Sequence, residues 1–519
     1  MTKAGFVRLL AASVLLTAAQ PALADWHEVS SDHFVIYADD NVRVIERFAQ
    51  NLERYHSAMA YVSGRTLEKP SPSNRVVIYV VGGASDVREL VGGNSRRVAG
   101  FYIPRAGASR AFVQEITNQT GYPDFSMIVL LHEYAHHFLM SSSRYAMPRW
   151  INEGAAEFFA AATFNEDGSM LIGRAAQHRG PELFQGEPVP LRELLDANSY
   201  KSEDRDNNRN AFYGYAWLLY HYLTFSDERA GQLQQYQLAV VQGQSSLEAA
   251  KAAFGDLDVL ERELRAYRRA RMLTVQLSPD KLEAGTIAFR KLSPGEEAIM
   301  PLQIRSQRGV NRDQAIEIVA KARAVAARFP DDPGVLTALA EAEFDAGNDA
   351  EAIAAADAAI ARDAKRINAY VQKGLAMFRQ AQALSDQPAA FEAAMQPFSA
   401  LNQIENDHPL PLMFYYRSYT ERGEQPPEIA RAALERAARL APFDQQLQLS
   451  TAIMLISEGK NAIARDFLAP VAANPHGGAL VAKAKQLIAA VTGVADGTIV
   501  DICNLPEEVE TPDLSGAAD

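Results

Sequence analysis

His132-Glu133-Tyr134-Ala135-His136 places two imidazoles four residues apart in an apolar stretch, Met127 to Met140, that holds no helix breaker. On a helix, residues four apart share a face one turn apart, so the two rings can grip one ion. Glu133 then lies beside the ion without binding it, placed to hold a metal-bound water. A structural zinc site would be closed and typically rich in cysteine, and the chain has a single cysteine, Cys503. An open, catalytic type of site for one zinc ion is therefore expected, with a third and hard ligand, since two His plus one carboxylate is the usual set.

The next informative stretch is Pro148-Arg149-Trp150-Ile151-Asn152-Glu153-Gly154-Ala155-Ala156-Glu157-Phe158-Phe159. Pro148 suits the start of a second helix, on which Glu153 and Glu157 share a face. The 16 residues between His136 and Glu153 let the chain turn and bring the two helices side by side. Glu153 is the expected third ligand. Glu157, one turn on, is placed to accept the free N–H of a ligating imidazole and fix its tautomer. Both carboxylates need partners if buried, because Ile151, Ala155, Phe158 and Phe159 make the helix otherwise apolar. His137 points roughly 100° away from His136 and reads as packing.

These helices need a scaffold. Ahead of them come a β-like run at 33–37, a helical pattern at 42–61, a Val/Ile-rich strand at 75–81, and β-like runs near 98–103 and 111–116. This order predicts a small mixed sheet. Neither Gly82-Gly83 nor Gly92-Gly93 has the residues of a phosphate cradle. From Met127 to about Met272 the pattern is largely helical. Residues 276–310, with Pro279, Gly285, Pro294 and Gly295, read as a connector.

Beyond it the chain turns alanine-rich and repetitive. Gly347, Gly423 and Gly459 mark equivalent turns at intervals of 76 and 36 residues. Leu336, Leu339 and Ala340, then Ala352, Ala356 and Ala359, lie at helical spacing around the first. Leu412, Tyr415 and Tyr419, then Ala430, Leu434 and Ala437, do so around the second. Paired helices with small residues at their crossings stack on one another. The pattern over roughly 310–490 resembles the tetratricopeptide repeat. The repeats are expected to bury their cores on each other and to leave the first half folding independently.

Composition sets outer limits. A chain of 519 residues, 48% apolar, exceeds one core. Lys3 and Arg8 before the apolar run 9–19, then Ala22-Leu23-Ala24, read as a signal peptide over 1–24, cut after Ala24. Its removal takes the net charge from −13 to −15. An acidic exported product without a basic cluster is no candidate for nucleic acid. No membrane span is expected after cleavage, and the periplasm is the expected destination. One cysteine excludes an intrachain disulfide. The tail 496–519 carries seven acids and no base and reads as disordered.

The two motifs together resemble the gluzincin metallopeptidases, and the wording Pro-Arg-Trp-Ile-Asn-Glu-Gly-Ala-Ala-Glu-Phe is similar to their bacterial peptidase MA-like branch. The resemblance covers roughly 25–270. It implies a zinc held by His132, His136 and Glu153, with Asn152 and Glu157 in their usual places and Glu133 as general base. Tyr213-Gly-Tyr-Ala-Trp-Leu-Leu-Tyr-His-Tyr-Leu223 resembles the helix of aminopeptidase N-like enzymes whose leading Tyr stabilises the oxyanion, which assigns that role to Tyr213. The expected architecture is an α+β zincin-like metallopeptidase domain over 25–275, followed by an all-α tetratricopeptide-like helical-repeat domain over 311–495. The expected activity is hydrolysis of a peptide or protein substrate, with a possible protein partner on the repeats. The rival readings are a non-catalytic zinc domain on a binding scaffold and a zinc hydrolase of another substrate class.

Overall fold

The structure is a computed structural model, which describes residues 25–502 apart from 66–67, 93–97, 117–118, 143–144, 197–210, 385–386 and 475–477. The expected signal peptide and residues 503–519 of the acidic tail lie outside the described residues. The chain is mostly helical, with two small sheets in its first half and stacked helix pairs in its second.

The strands are β1 (Trp26–Ser30), β2 (Phe34–Asp39), β3 (Val76–Val80), β4 (Gly100–Ile103), β5 (Arg110–Val113), β6 (Thr163–Phe164), β7 (Met170–Ile172), β8 (Val275–Leu277) and β9 (Ala288–Lys291). Six form one sheet in the order β4-β5-β3-β2-β1-β9, and β6, β7 and β8 form the other. The central pairs β2–β3 and β3–β5 are parallel, and the flanking pairs antiparallel. Alternate residues of a strand face opposite sides. Thus Ile78 joins the main core with Phe48 and Leu52 of α1 (Val42–Ser63) and Leu131 and Ala135 of α3 (Phe125–Ser142). Its neighbour Tyr79 joins Phe112 on the other face, against Val87 of α2 (Ala84–Val91).

Seven further helices follow among the described residues up to residue 267: α4 (Arg149–Ala160), α5 (Gly180–Gln185), α6 (Leu191–Leu195), α7 (Phe212–Phe225), α8 (Gln232–Val241), α9 (Ser246–Phe254) and α10 (Leu257–Tyr267). The close packing of α7 on α4 depends on Gly154. A Cβ there would meet the carbonyl oxygen of Ala216 at 2.5 Å, so a larger residue would push the helices apart.

The stretch 276–310 differs from the expected connector. β8 pairs with β7, β9 pairs with β1, and α11 (Pro294–Arg308) lays Met300 and Ile304 on the Tyr79 face of the sheet. Pro294 begins a helix capped by Ser293 rather than breaking one, since a first-turn proline has no hydrogen bond to lose.

The second half is a run of helix pairs stacked on one another. α12 (Arg312–Arg328) follows α11, then come the pairs α13 (Pro333–Asp345) with α14 (Asp349–Arg362) and α15 (Ile367–Ala383) with α16 (Gln387–Ile404). The pairs α17 (Pro409–Thr420) with α18 (Glu428–Leu440) and α19 (Gln445–Ser457) with α20 (Asn461–Ala472) complete it, closed by α21 (Ala479–Val491). Gly347, Gly423 and Gly459 stand between the helices of their pairs at φ 85°, 71° and 71°, a left-handed turn that glycine adopts without a steric cost.

The repeats do not stand apart from the first half. Ala106, in the β4–β5 loop, is buried in the same cluster as Phe443, Leu447 and Leu455, and Met140 of α3 packs against it. Ser73 donates to Glu405 at 2.7 Å, and the Ala106 amide donates to Asp444 at 2.9 Å. The helix pairs thus close around loops of the first half and share part of its apolar surface.

Candidate metal centre

The candidate site is built from α3 and α4. His132 and His136 project from one face of α3, and their Nε2 atoms are 3.0 Å apart. Each lies 3.4 Å from Oε2 of Glu153 on α4. Among the described residues this is the one group of three whose ligand atoms could hold a metal ion. Atoms spaced this way sit at about 2 Å from a common centre, as zinc–nitrogen and zinc–oxygen bonds require.

The surroundings fit a cation as well. Glu153 is 0% exposed, and neither carboxylate oxygen receives a hydrogen bond within the protein. A buried carboxylate without donors is strongly disfavoured unless a positive charge stands against it. Burial opposes charge on His132, but Glu157 and Glu153 outweigh it and push its pKa up to about 10. Burial likewise opposes the charge on Glu153, and the two imidazoles hold its pKa well below the usual carboxylate range. The pocket thus stabilises positive charge at the very atoms that would face the ion.

Glu157 supports the site from behind. Its Oε1 lies 3.1 Å from His132 Nδ1, off the best hydrogen-bond direction. Arg179 donates to Oε1 at 2.6 Å, and His178 Nε2 stands 2.6 Å from Oε2. Tyr122 in turn meets His178 Nδ1 at 3.0 Å, and Arg179 reaches Glu182 at 2.7 Å. Burial raises the Glu157 pKa, but Arg179, His132 and His178 bring it well below the normal range. It therefore stays an anion beside His132 Nδ1. Sequence reasoning missed Tyr122, His178, Arg179 and Glu182. The pair His178-Arg179 was the only available signal, and nothing in its spacing names Glu157 as its partner.

Tyr213 lies in the first turn of α7, which Gly154 lets pack against α4, and its ring centroid is 6.4 Å from that of His132. Arg179 lies over the ring at 4.7 Å. The Glu153 charge, followed by burial, raises the phenol pKa, while Arg149 and Arg179 oppose them. The hydroxyl is thus kept protonated and able to donate. Tyr215 points elsewhere, where its hydroxyl accepts from Arg268 at 3.0 Å. Glu133 follows His132 on α3 and is partly exposed. His137 packs between Tyr102, Tyr134 and Phe443. Burial pushes its pKa down to about 3, so the ring is neutral.

Glu153→Ala should lower bound zinc from about one per chain to a small fraction, since two imidazoles alone make an incomplete site. Glu157→Ala should keep the site but weaken it about 10- to 100-fold, as loss of an orienting carboxylate does. Metal analysis after dialysis against graded chelator would read both. The reverse pattern would exchange the two roles.

No family model matches the chain, and no curated protein matches its sequence. Solved structures with local similarity include TTC0263, a tetratricopeptide repeat protein of Thermus thermophilus. It is 16% identical with a TM-score of 0.32, over 37% of this chain and 99% of that one. MamA from Desulfovibrio magneticus RS-1 is 15% identical with a TM-score of 0.27, over 34% of this chain and 92% of that one.

Proposed function

We propose that this protein is an exported zinc-dependent peptidase of gluzincin type, with a zincin-like first half. The observation that carries the reading is the convergence of His132, His136 and the buried carboxylate of Glu153. Bound zinc would acidify a water and polarise the carbonyl to be attacked. Glu133 takes the proton of the attacking water and delivers it to the departing amine. Tyr213 donates to the carbonyl oxygen as negative charge develops on it. Glu157, held by Arg179 and His178, keeps His132 in the tautomer whose Nε2 faces the centre. β4 is an edge strand of the larger sheet, whereas β5 lies inside it. An extended substrate backbone therefore has β4 to pair with. Residues 1–24 supply the export signal in this reading, and the periplasm is the compartment.

The helix pairs of the second half favour a second reading, a scaffold that binds a protein partner, with or without hydrolysis. Such stacks offer extended surfaces for recognition. A hydrolase of another substrate class would share the same metal ligands.

One experiment tests the main reading. Zinc-loaded protein should cleave members of a mixed peptide library. Treatment with 1,10-phenanthroline should remove the activity, and added zinc should restore it. Zinc-replete protein that cleaves no peptide would leave the scaffold or the other hydrolase.

A further inference from the structure

β4 is an edge strand of four residues, Gly100–Ile103, and its ladder to β5 holds it on one side alone. A strand so short, paired on one side, needs further contacts to keep its place. Two sets of contacts supply them.

The first set ties β4 to α3. Gly100 and Tyr102 face the same side of the strand. A Cβ at Gly100 would lie 3.7 Å from Cγ1 of Val129. The Tyr102 hydroxyl shares a hydrogen bond of 2.6 Å with His137 Nδ1. Val129 lies one turn before Glu133 and His137 one turn after it, so the three follow one face of α3. The strand is therefore fastened to α3 on either side of Glu133.

The second set ties the tip of the β4–β5 hairpin to the helix pairs. Ala106 is buried in one cluster with Phe443 and Leu447, and its amide donates to Oδ2 of Asp444 at 2.9 Å. Gly107 follows at φ 77°, where a Cβ would come within 2.9 Å of His408 and 3.2 Å of Leu410. Only a residue without a side chain fits that gap. The Phe443 ring centroid also lies 4.5 Å from that of His137. One turn of the second half, between α18 and α19, thus backs both fastenings of the strand.

Resting on the peptidase reading above, we infer that Tyr102 and Asp444 are positioning residues that fix β4 beside Glu133, so that the second half serves the binding of an extended peptide without touching it. The peptide backbone pairs with the free edge of β4. Its place relative to Glu133 is then set by the two fastenings.

The test uses variants that leave the surrounding packing intact. Asp444 Oδ1 also accepts from the Leu447 amide at 2.9 Å and caps α19. Asparagine has one acceptor oxygen, which can keep the cap, while its NH2 cannot accept from Ala106. Full-length, zinc-loaded Glu133→Gln protein would be titrated with a set of fluorescent extended peptides. Adding either Asp444→Asn or Tyr102→Phe should raise Kd roughly 5-fold or more, the scale of one net hydrogen bond, and for every peptide alike. Zinc content and circular dichroism should match the parent. With Glu133 intact, the loss should fall on KM and leave kcat within a few-fold, because backbone pairing is the same in bound substrate and transition state. Ser73→Ala removes a 2.7 Å bond to Glu405 elsewhere between the two halves and should leave Kd unchanged.

Parent affinity in either variant would overturn the inference, as would an equal loss in Ser73→Ala. A loss that follows zinc content would mean that the contacts serve the ion rather than the strand, and would overturn it too. So would a parent that binds none of the peptides. Peptide binding that weakens as expected, without hydrolysis by the Glu133-intact protein, would leave this inference standing while the peptidase reading falls.

Discussion

Glu133→Gln should bind zinc and melt as the parent protein does, and lose roughly 10²- to 10⁴-fold in turnover, the range that positioned proton transfer supplies. The substitution is close to isosteric and falls outside the proposed ligand set, because among the described residues His132, His136 and Glu153 are the group whose ligand atoms come together. Glu133 is partly exposed, so replacing its carboxylate strands no buried partner. What changes is basicity: an amide cannot take the proton of the attacking water or carry it to the leaving nitrogen. The loss should fall on kcat, with KM within a few-fold, because the missing interaction acts on the way to the transition state. Zinc content measured on the same sample separates this from loss of the metal. Undiminished hydrolysis by a zinc-loaded Glu133→Gln protein would remove the proposed mechanism.

The parts of the site that could be read from the sequence are those fixed by helical spacing. Two His four apart, and two Glu four apart on a second apolar helix, have few other uses when buried together, and the fold brings three of the four onto one point. The turn glycines were legible for a similar reason, since a recurring left-handed residue suits few other side chains. The supporting network was not legible. His178 and Arg179 reach Glu157 from a segment 21 and 22 residues away, through a short turn whose direction no local pattern specifies. Arg149 reads as an ordinary first-turn residue until α7 brings Phe212 beside it. The stretch 276–310 misled for a different reason: its prolines and glycines bound very short strands, and β9 finds its partner β1 more than 250 residues earlier in the chain. Strands of three or four residues carry too little alternation to be recognised.

That long-range pairing determines what truncation does. A fragment ending at Ser293 would keep β9 but lose α11, and with it Met300 and Ile304, which are 1% and 5% exposed. Tyr79, Val81, Val87 and Phe112 would then lose their cover on the second face of the sheet. Re-exposing a large apolar side chain costs about 1.5–3 kcal/mol. Four such losses approach the whole stability of a typical domain, about 5–15 kcal/mol. The same cut removes Phe443, whose ring centroid lies 4.5 Å from that of His137, directly beside the candidate ligand His136 on α3. It also removes the Asp444 acceptor of the Ala106 amide. Residues 25–293 alone should therefore aggregate or melt without a cooperative transition, and hold little zinc. Co-expression with residues 294–502 should recover a soluble, zinc-bound complex, because the lost contacts are non-covalent. Phe443→Ala in the full chain is the graded counterpart. It should destabilise by about 3–5 kcal/mol, as truncation of a buried aromatic does, and the loosened packing behind His137 should weaken zinc retention along with it. A monomeric 25–293 fragment with a sharp melt and full zinc would show that the repeats contribute nothing to the metal half, and the shared surface at Ala106, Met140 and His137 would then be a contact without consequence for stability.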